Sequence, residues 1–318
     1  MEKKKKLFIL TGPTAVGKTK LSIQLAKSLN GEIISADSMQ VYEYMDIGSA
    51  KIKKEEMQGV PHHMIDILKP WDEFNVVIFQ KKCKEIMNGI YERGHVPILV
   101  GGTGFYIQSV LYDIDFAETM EDTAYREELQ RLCKQNGEEY LHDLLKKIDP
   151  VSADLIHRNN IKRVIRALEY FHLTGKCISQ HNEEERRKPS AYHSFYFVLN
   201  DDRKKLYANI DRRVDEMIAE GLEKEVKALL LMGCRKEMVS MQGLGYKEMI
   251  SCLSGEYSME EAIYRIKLET RHFAKRQLTW FKREKDVIWL NKSDFGYEDD
   301  KILTYMKEKI QENEINES

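Results

Sequence analysis

The chain has 318 residues, 42% hydrophobic and 32% charged, with a formal net charge of -2. That is enough apolar material for one large domain with a substantial insertion, and no stretch approaches the ~20 consecutive apolar residues of a membrane span. The five cysteines (Cys83, Cys133, Cys177, Cys234 and Cys252) are odd in number and form no C-x-x-C pair, which argues against a disulfide framework and against structural zinc.

The basic start at Met1–Lys6 leads into an apolar run of only four residues, Leu7 to Leu10, too short for a signal peptide, so a cytoplasmic protein is expected. Lys6–Thr11 reads as a buried strand and the segment up to Leu29 as a helix. A second strand is expected at Glu32–Ser35, followed by Asp37-Ser38-Met39-Gln40. Phe74–Arg93 has helical periodicity and stops at Gly94, and Val96–Val100 is a third apolar strand closed by Gly101-Gly102-Thr103-Gly104. His62 and His63 follow Pro61; adjacent histidines make poor metal geometry, so turn or core packing is expected of them.

From about Asp115 to Pro189 only helical segments appear: Ala124–Gln135, Gly137–Ile148, Pro150–Ile156 and Asn160–Leu173. Phe195–Leu199 then reads as a return to the sheet. Three helices follow (Arg203–Glu220, Glu223–Met232, Met259–Lys282), then a last strand at Val287–Leu290 and a polar tail expected to fray beyond Gln311. Strands alternating with helices predict a P-loop-like α/β fold. It has a parallel sheet with helices on both faces, a core from 1–114 and 193–318, and an all-helical insertion at 115–192.

The strongest chemical signal is Gly12-Pro13-Thr14-Ala15-Val16-Gly17-Lys18-Thr19, which matches G-x-x-x-x-G-K-[ST] between a strand and a helix. The glycines let the backbone wrap an anion with its N–H groups pointing inward. Lys18 supplies a mobile positive charge and the Thr19 hydroxyl a ligand for Mg²⁺. The motif predicts a bound phosphate chain without saying which.

An ordinary NTPase would add an aspartate at the end of an apolar strand to hold Mg²⁺. Here the third strand ends in Gly-Gly-Thr-Gly instead. The acid at a strand's carboxyl end near the P-loop is Asp37, so Asp37 and Thr103 are both expected to face the phosphate site. Asp37 reads either as a general base or as a helix N-cap or Mg²⁺ ligand. From Ile263 to Lys285, eight basic residues face two acidic ones, a local net charge of +6. Such a face suits a phosphate backbone whatever the global charge. Lys162, Arg163 and Arg166 share a helix with an apolar set that packs inward, which turns the basic set out.

The segments GPTAVGKT, ISADSMQVY, GGTGFY, IKRVIRALE, QGLGYKE and TRHFAKRQLTWFKR occur in this order. Together they resemble the bacterial tRNA dimethylallyltransferases, from Leu7 to about Leu290. The resemblance implies dimethylallyl diphosphate on Gly12, Pro13, Thr14, Ala15, Val16, Gly17, Lys18 and Thr19, with Arg213 and Mg²⁺ on the diphosphate. It implies Lys18, Asp37 and Thr103 as catalytic residues, with Asp37 taking a proton from the amine of the adenosine just 3′ of the anticodon. Ser38, Met39 and Gln40 would line that nucleotide, Gln40 reading the flipped base. Arg126 and the run Lys162, Arg163, Val164, Ile165 and Arg166 would contact a tRNA anticodon stem-loop. The acceptors implied are tRNAs reading codons that begin with U. A monomer with no membrane association is expected.

The chain departs from the family pattern at Asn209, where a second arginine is often found. Other readings are a small-molecule kinase, a tRNA-binding protein that uses its P-loop only as a sensor, and a cytokinin-type enzyme that prenylates free AMP. Against these stand the missing Walker-B acid, the complete Lys18, Thr19, Asp37 and Thr103 set, and a basic insertion and helix that AMP would not require.

Overall fold

The computed structural model describes residues 4–116 and 123–316. In chain order the first elements are β1 (Lys6–Thr11), α1 (Lys18–Leu29), β2 (Gly31–Ala36), β3 (His62–His63), α2 (Val76–Glu92), β4 (Val96–Gly101) and α3 (Gly104–Leu111). The helical segments α4 (Thr123–Asn136), α5 (Glu138–Ile148), α6 (Pro150–Leu155), α7 (Ile161–Thr174) and α8 (Ile178–Arg187) follow. The chain then makes β5 (His193–Asn200), α9 (Arg203–Glu220), α10 (Leu222–Leu231), α11 (Tyr246–Leu253), α12 (Met259–Phe281), β6 (Val287–Asn291) and α13 (Asp299–Asn316).

All six strands run parallel, in the order β3-β2-β4-β1-β5-β6. β1 sits between β4 and β5, with Phe8 opposite Ile98 on one side and Phe195 on the other. Its residues Leu7–Leu10 are buried, as a strand covered on both faces must be. Parallel strands place their carboxyl ends on one edge, so the loops after β1, β2 and β4 converge there. Those loops carry Gly12–Thr19, Asp37–Gln40 and Gly102–Thr103.

Local chemistry sets several helix starts. Asn75 caps α2 by accepting from Val77 N and Ile78 N, each at 3.0 Å. Asp202 caps α9 in the same way, accepting from Lys204 N at 2.9 Å.

The chain divides into two compact units, Met1–Leu111 with Tyr192–Ser318, and Tyr112–Ala191. The second is an all-helical bundle whose core includes Leu129, Leu141, Leu145, Val164, Ile165 and Leu168.

Several elements differ from the sequence reading. His62 and His63 form a short edge strand, paired with Ile33 and Ile34. A further helix, α8, lies beyond the four helical segments expected in the insertion. The expected frayed tail is instead part of α13, whose Ile302, Met306 and Ile310 pack into the main core. Glu314, near its end, pairs with Lys6.

Candidate active site

The P-loop leaves β1 through Gly12, whose φ of 148° suits a residue without a side chain. A Cβ there would stand 2.2 Å from the carbonyl oxygen of Leu199 on β5. Ala15 (φ 61°) and Gly17 (φ 96°) complete the left-handed turns that bend the backbone amides inward. Lys18 lies across the loop, with Nζ donating to the carbonyls of Gly12 (2.9 Å) and Pro13 (2.8 Å).

Two cavities open on this loop. One, of about 360 Å³, is lined by Lys18, Thr19, Ser35, Gln40, His62, Arg212 and others. The second, of about 420 Å³, is lined by Ser38, Met39, Phe74, Thr103, Tyr106, Arg276 and others. Both are bounded by Thr14, Ala15, Asp37, Ser49, Arg213, Phe273 and Gln277, so these residues stand where the two meet. Two chambers joined at a charged waist suit two substrates that exchange a group between them.

The charges at the waist act on one another. Burial, then the Arg213 guanidinium, lowers the Lys18 ammonium from 10.5 to about 7, with Asp37 pulling the other way. Burial also lowers Arg213, again opposed by Asp37. A cluster that strains to hold two positive charges is a site built for an anion.

Asp37 follows β2 in a turn that borders both cavities. Its Oδ1 accepts from Met39 N at 2.8 Å, closing the turn after β2. Its carboxylate also lines both cavities, which fits a base held in a fixed orientation. Thr103 is tied back to the same strand end, its N–H donating to Ala36 O at 3.3 Å.

Most of the expected site residues converge here. Gly12, Pro13 and Val16 shape the loop, and Thr14, Ala15, Gly17, Lys18, Thr19, Asp37, Ser38, Met39, Thr103 and Arg213 line a cavity. Gln40 lies in the 360 Å³ cavity, away from Ser38 and Met39. Its amide accepts from Ser35 Oγ at 3.2 Å and donates to Ser49 O at 3.4 Å. Asn209, where the family pattern often has a second arginine, lines the 360 Å³ cavity. Arg212 lines the same cavity as Arg213, steadied by Asn209 Oδ1 at 3.0 Å.

The insertion residues fall into two groups. Lys162 and Arg163 are exposed on α7. Val164 and Ile165, expected with them at the tRNA, are 1% and 5% exposed in the bundle core, so their side chains hold α7 in place. Arg126 forms a two-pronged pair with the buried Glu169, at 2.6 and 3.1 Å. That commits its guanidinium within the insertion.

The basic run on α12 is partly neutralised. Lys267 pairs with Asp215 at 2.6 Å, Arg271 with Asp211 at 3.0 Å and Arg265 with Glu261 at 2.6 Å. Sequence reasoning did not place Gln277, Phe273, Phe74 or Tyr106 at the site.

A Walker-type loop opening on paired cavities, with a carboxylate and an arginine between them, defines a P-loop α/β transferase-type site rather than an NTPase with its strand-end acid. The chain belongs to the IPP transferase family: that family model matches residues 40–284, and one described as isopentenyl transferase matches residues 5–68. It is similar to a tRNA dimethylallyltransferase of Lachnoclostridium phytofermentans, with 62% identity over 97% of this chain and 98% of that one. A Carboxydothermus hydrogenoformans protein of the same name is 50% identical over 94% and 96%. The fold matches a full-length tRNA isopentenylpyrophosphate transferase of Bacillus halodurans, with TM-score 0.74, 46% identity and 99% of both chains covered. It also matches a eukaryotic dimethylallyltransferase acting on tRNA, with TM-score 0.78 and 30% identity over 92% of this chain and 75% of that one.

Proposed function

We propose that the protein transfers a dimethylallyl group from dimethylallyl diphosphate to N6 of the adenosine 3′ of the anticodon, in tRNAs reading codons that begin with U. The observation that carries this reading is that Asp37 and Arg213 stand where the two cavities meet, with Lys18 lining the 360 Å³ cavity beside them. The family membership and the relatives named for tRNA support the acceptor.

The donor's diphosphate occupies the loop 12–19, where inward amides, Lys18 and Arg213 meet its charge. The adenosine enters the 420 Å³ cavity past Ser38 and Met39, with Phe74 and Tyr106 offering aromatic surface to a base that has left its stack. The exocyclic amine is a weak nucleophile because its lone pair is delocalised into the ring. Asp37 accepts the N6 proton as the N6–C1 bond forms, so little positive charge builds on nitrogen. The C1–O bond breaks with its electron pair going to the diphosphate. Lys18 and Arg213 neutralise the charge that develops there.

Mg²⁺ fits this site in one way. Among the described residues no group of three His, Cys, Asp or Glu side chains could hold a metal, and Thr19 lines the cavity. Mg²⁺ commonly takes few protein ligands and fills its shell with phosphate oxygens and water. Thr19 would therefore hold it with the diphosphate, where it would supply charge neutralisation for the leaving group.

No helix among the described residues is long and apolar enough to cross a membrane, which fits a cytoplasmic enzyme.

The test is transfer of label from dimethylallyl diphosphate to unmodified tRNA by the wild type and Asp37→Ala. Label on tRNA with the wild type, little or none with the variant, and equal tRNA binding by both is the expected result. A folded wild type that transfers nothing and consumes ATP instead would overturn the reading in favour of a kinase.

A further inference from the structure

One side chain where the cavities meet is not accounted for by the reaction. Gln277, on α12, is 6% exposed and uses both ends of its amide. Its Oε1 accepts from Thr14 N at 2.9 Å, and its Nε2 donates to Gly102 O at 2.9 Å. The carbonyl of Gly102 and the N–H of Thr103 belong to one peptide unit, and that N–H donates to Ala36 O at 3.3 Å. The carbonyl of Ala36 is in turn part of the peptide unit that ends at the Asp37 nitrogen.

These contacts form a single relay. The Thr14 N–H points to the Gln277 amide, that amide to the 102–103 peptide, and that peptide to the 36–37 peptide. The three bonds run head to tail, so each amide dipole polarises the next and strengthens its bond. The P-loop follows β1 and Asp37 follows β2, and β4 lies between those two strands in the sheet. The relay crosses the end of β4, and Gln277 supplies the side chain in it. The same helix meets the other side of Thr103, because a Cβ at residue 104 would stand 2.3 Å from the ring of Trp280, one turn beyond Gln277.

Transfer of a group from the P-loop's ligand to an amine held by Asp37 needs both partners in line. A misplacement of about 1 Å at such a site costs about 100-fold in rate. We propose that Gln277 is a positioning residue that sets the spacing between the P-loop and Asp37, by holding the 102–103 peptide between them. The inference rests on reading Asp37 as the base and the P-loop as the seat of the donor's diphosphate. It accounts for an amide at 277, with an acceptor at one end and a donor at the other. A carboxylate could accept from Thr14 and not donate to Gly102, and an ammonium could do only the reverse.

The test is a single turnover of labelled dimethylallyl diphosphate with unmodified tRNA, for the full chain and for Gln277→Met and Gln277→Glu. Methionine keeps the length of the side chain and removes both bonds. Glutamate keeps the bond from Thr14 and loses the one to Gly102. Both variants are expected to lower the maximal rate about 100-fold, with half-saturating concentrations of donor and tRNA within about threefold of the wild type. If Gln277→Met folds poorly, Gln277→Glu, the closer in shape, carries the test.

Weakened donor affinity with a maximal rate like that of the wild type would overturn the inference alone, because Gln277 would then serve only the P-loop. A Gln277→Glu rate equal to that of the wild type would also overturn it, by removing the link to Gly102. A wild type that transfers no label would overturn the proposed reaction itself, a result distinct from either variant's.

Discussion

Tyr246 donates its hydroxyl to Glu225 at 2.6 Å, and the same carboxylate accepts three backbone amides from the loop that walls both cavities. Those amides are Asp46 N (2.9 Å), Ile47 N (2.7 Å) and Gly48 N (3.1 Å). Burial, and then the negative charge of Glu225, keeps the Tyr246 phenol protonated and able to donate. A Cβ on Gly48 would meet the Tyr246 ring at 2.5 Å, so the loop can approach only as glycine. Ser49, which borders both cavities, depends on this arrangement. Glu225→Ala strips the carboxylate from three amides and a buried hydroxyl and should cost about 3 kcal/mol, while Tyr246→Phe should cost about 1 kcal/mol. Urea unfolding midpoints measure both, and equal losses for the two variants would contradict the central place given to the carboxylate.

Glu32, at the opposite end of β2 from Asp37, is buried against Arg93 (3.0 and 2.8 Å), His63 (2.6 Å) and His95 (2.7 Å). The hydrogen bonds from Arg93 lead in lowering its carboxyl from 4.5 to about 2, against the effect of burial. A depressed acid stabilises the fold fully above its unfolded value and loses that contribution as pH falls towards its folded value. Glu32→Gln should therefore be less stable than the wild type by about 3 kcal/mol at pH 7, with the gap narrowing from pH 4.5 down to 3. Urea titrations at several pH values decide this. A gap that stays constant with pH would mean that neutral hydrogen bonds, not ionisation, hold the cluster.

Lys18, lowered to about 7 by burial and by Arg213, is largely neutral at pH 8. An anionic diphosphate beside it restores the ordinary preference for charge. Binding should then take up about one proton between pH 7 and 9, and affinity should fall nearly tenfold per pH unit across that window. Calorimetry with dimethylallyl diphosphate alone, in buffers of different ionisation enthalpy, reads the proton directly. Uptake that persists in Lys18→Met would assign it elsewhere.

The insertion offers a contrast between two arginines. Arg126→Ala leaves the buried Glu169 without its two-pronged partner and should lower the insertion's stability by about 3 kcal/mol. Arg163→Ala, at an exposed position on α7, should leave stability within about 0.5 kcal/mol. It should instead weaken tRNA binding and reduce the slope of log affinity against log salt by about one. Unfolding curves and binding at several salt concentrations separate the two roles, and equal behaviour of the variants would remove the distinction.

Much of this molecule follows from local pattern. The P-loop signature, the apolar strands that must be covered on both faces and the helical periodicity from Thr123 to Thr174 are short-range properties. They are determined by which backbone conformations and which amphipathic faces the residues allow. The sequence by itself therefore determined a parallel α/β core with a helical insertion, a glycine-rich loop over 12–19 between a strand and a helix, and Asp37 and Thr103 at neighbouring strand ends. The tertiary structure alone decided the rest, because those features join residues far apart in the chain. Gln277 is 263 positions from Thr14, and Glu225 is 178 from Ile47. The two-residue strand at His62 is stabilised by pairing with β2 and by Glu32, not by propensity of its own. Val164 and Ile165 lie on the apolar face that the helical period of α7 already turned inward, and the bundle buries them away from the tRNA contact that the family resemblance implied. A side chain's type limits what it can bond, but which partner it meets is decided only when the sheet brings its loops to one edge.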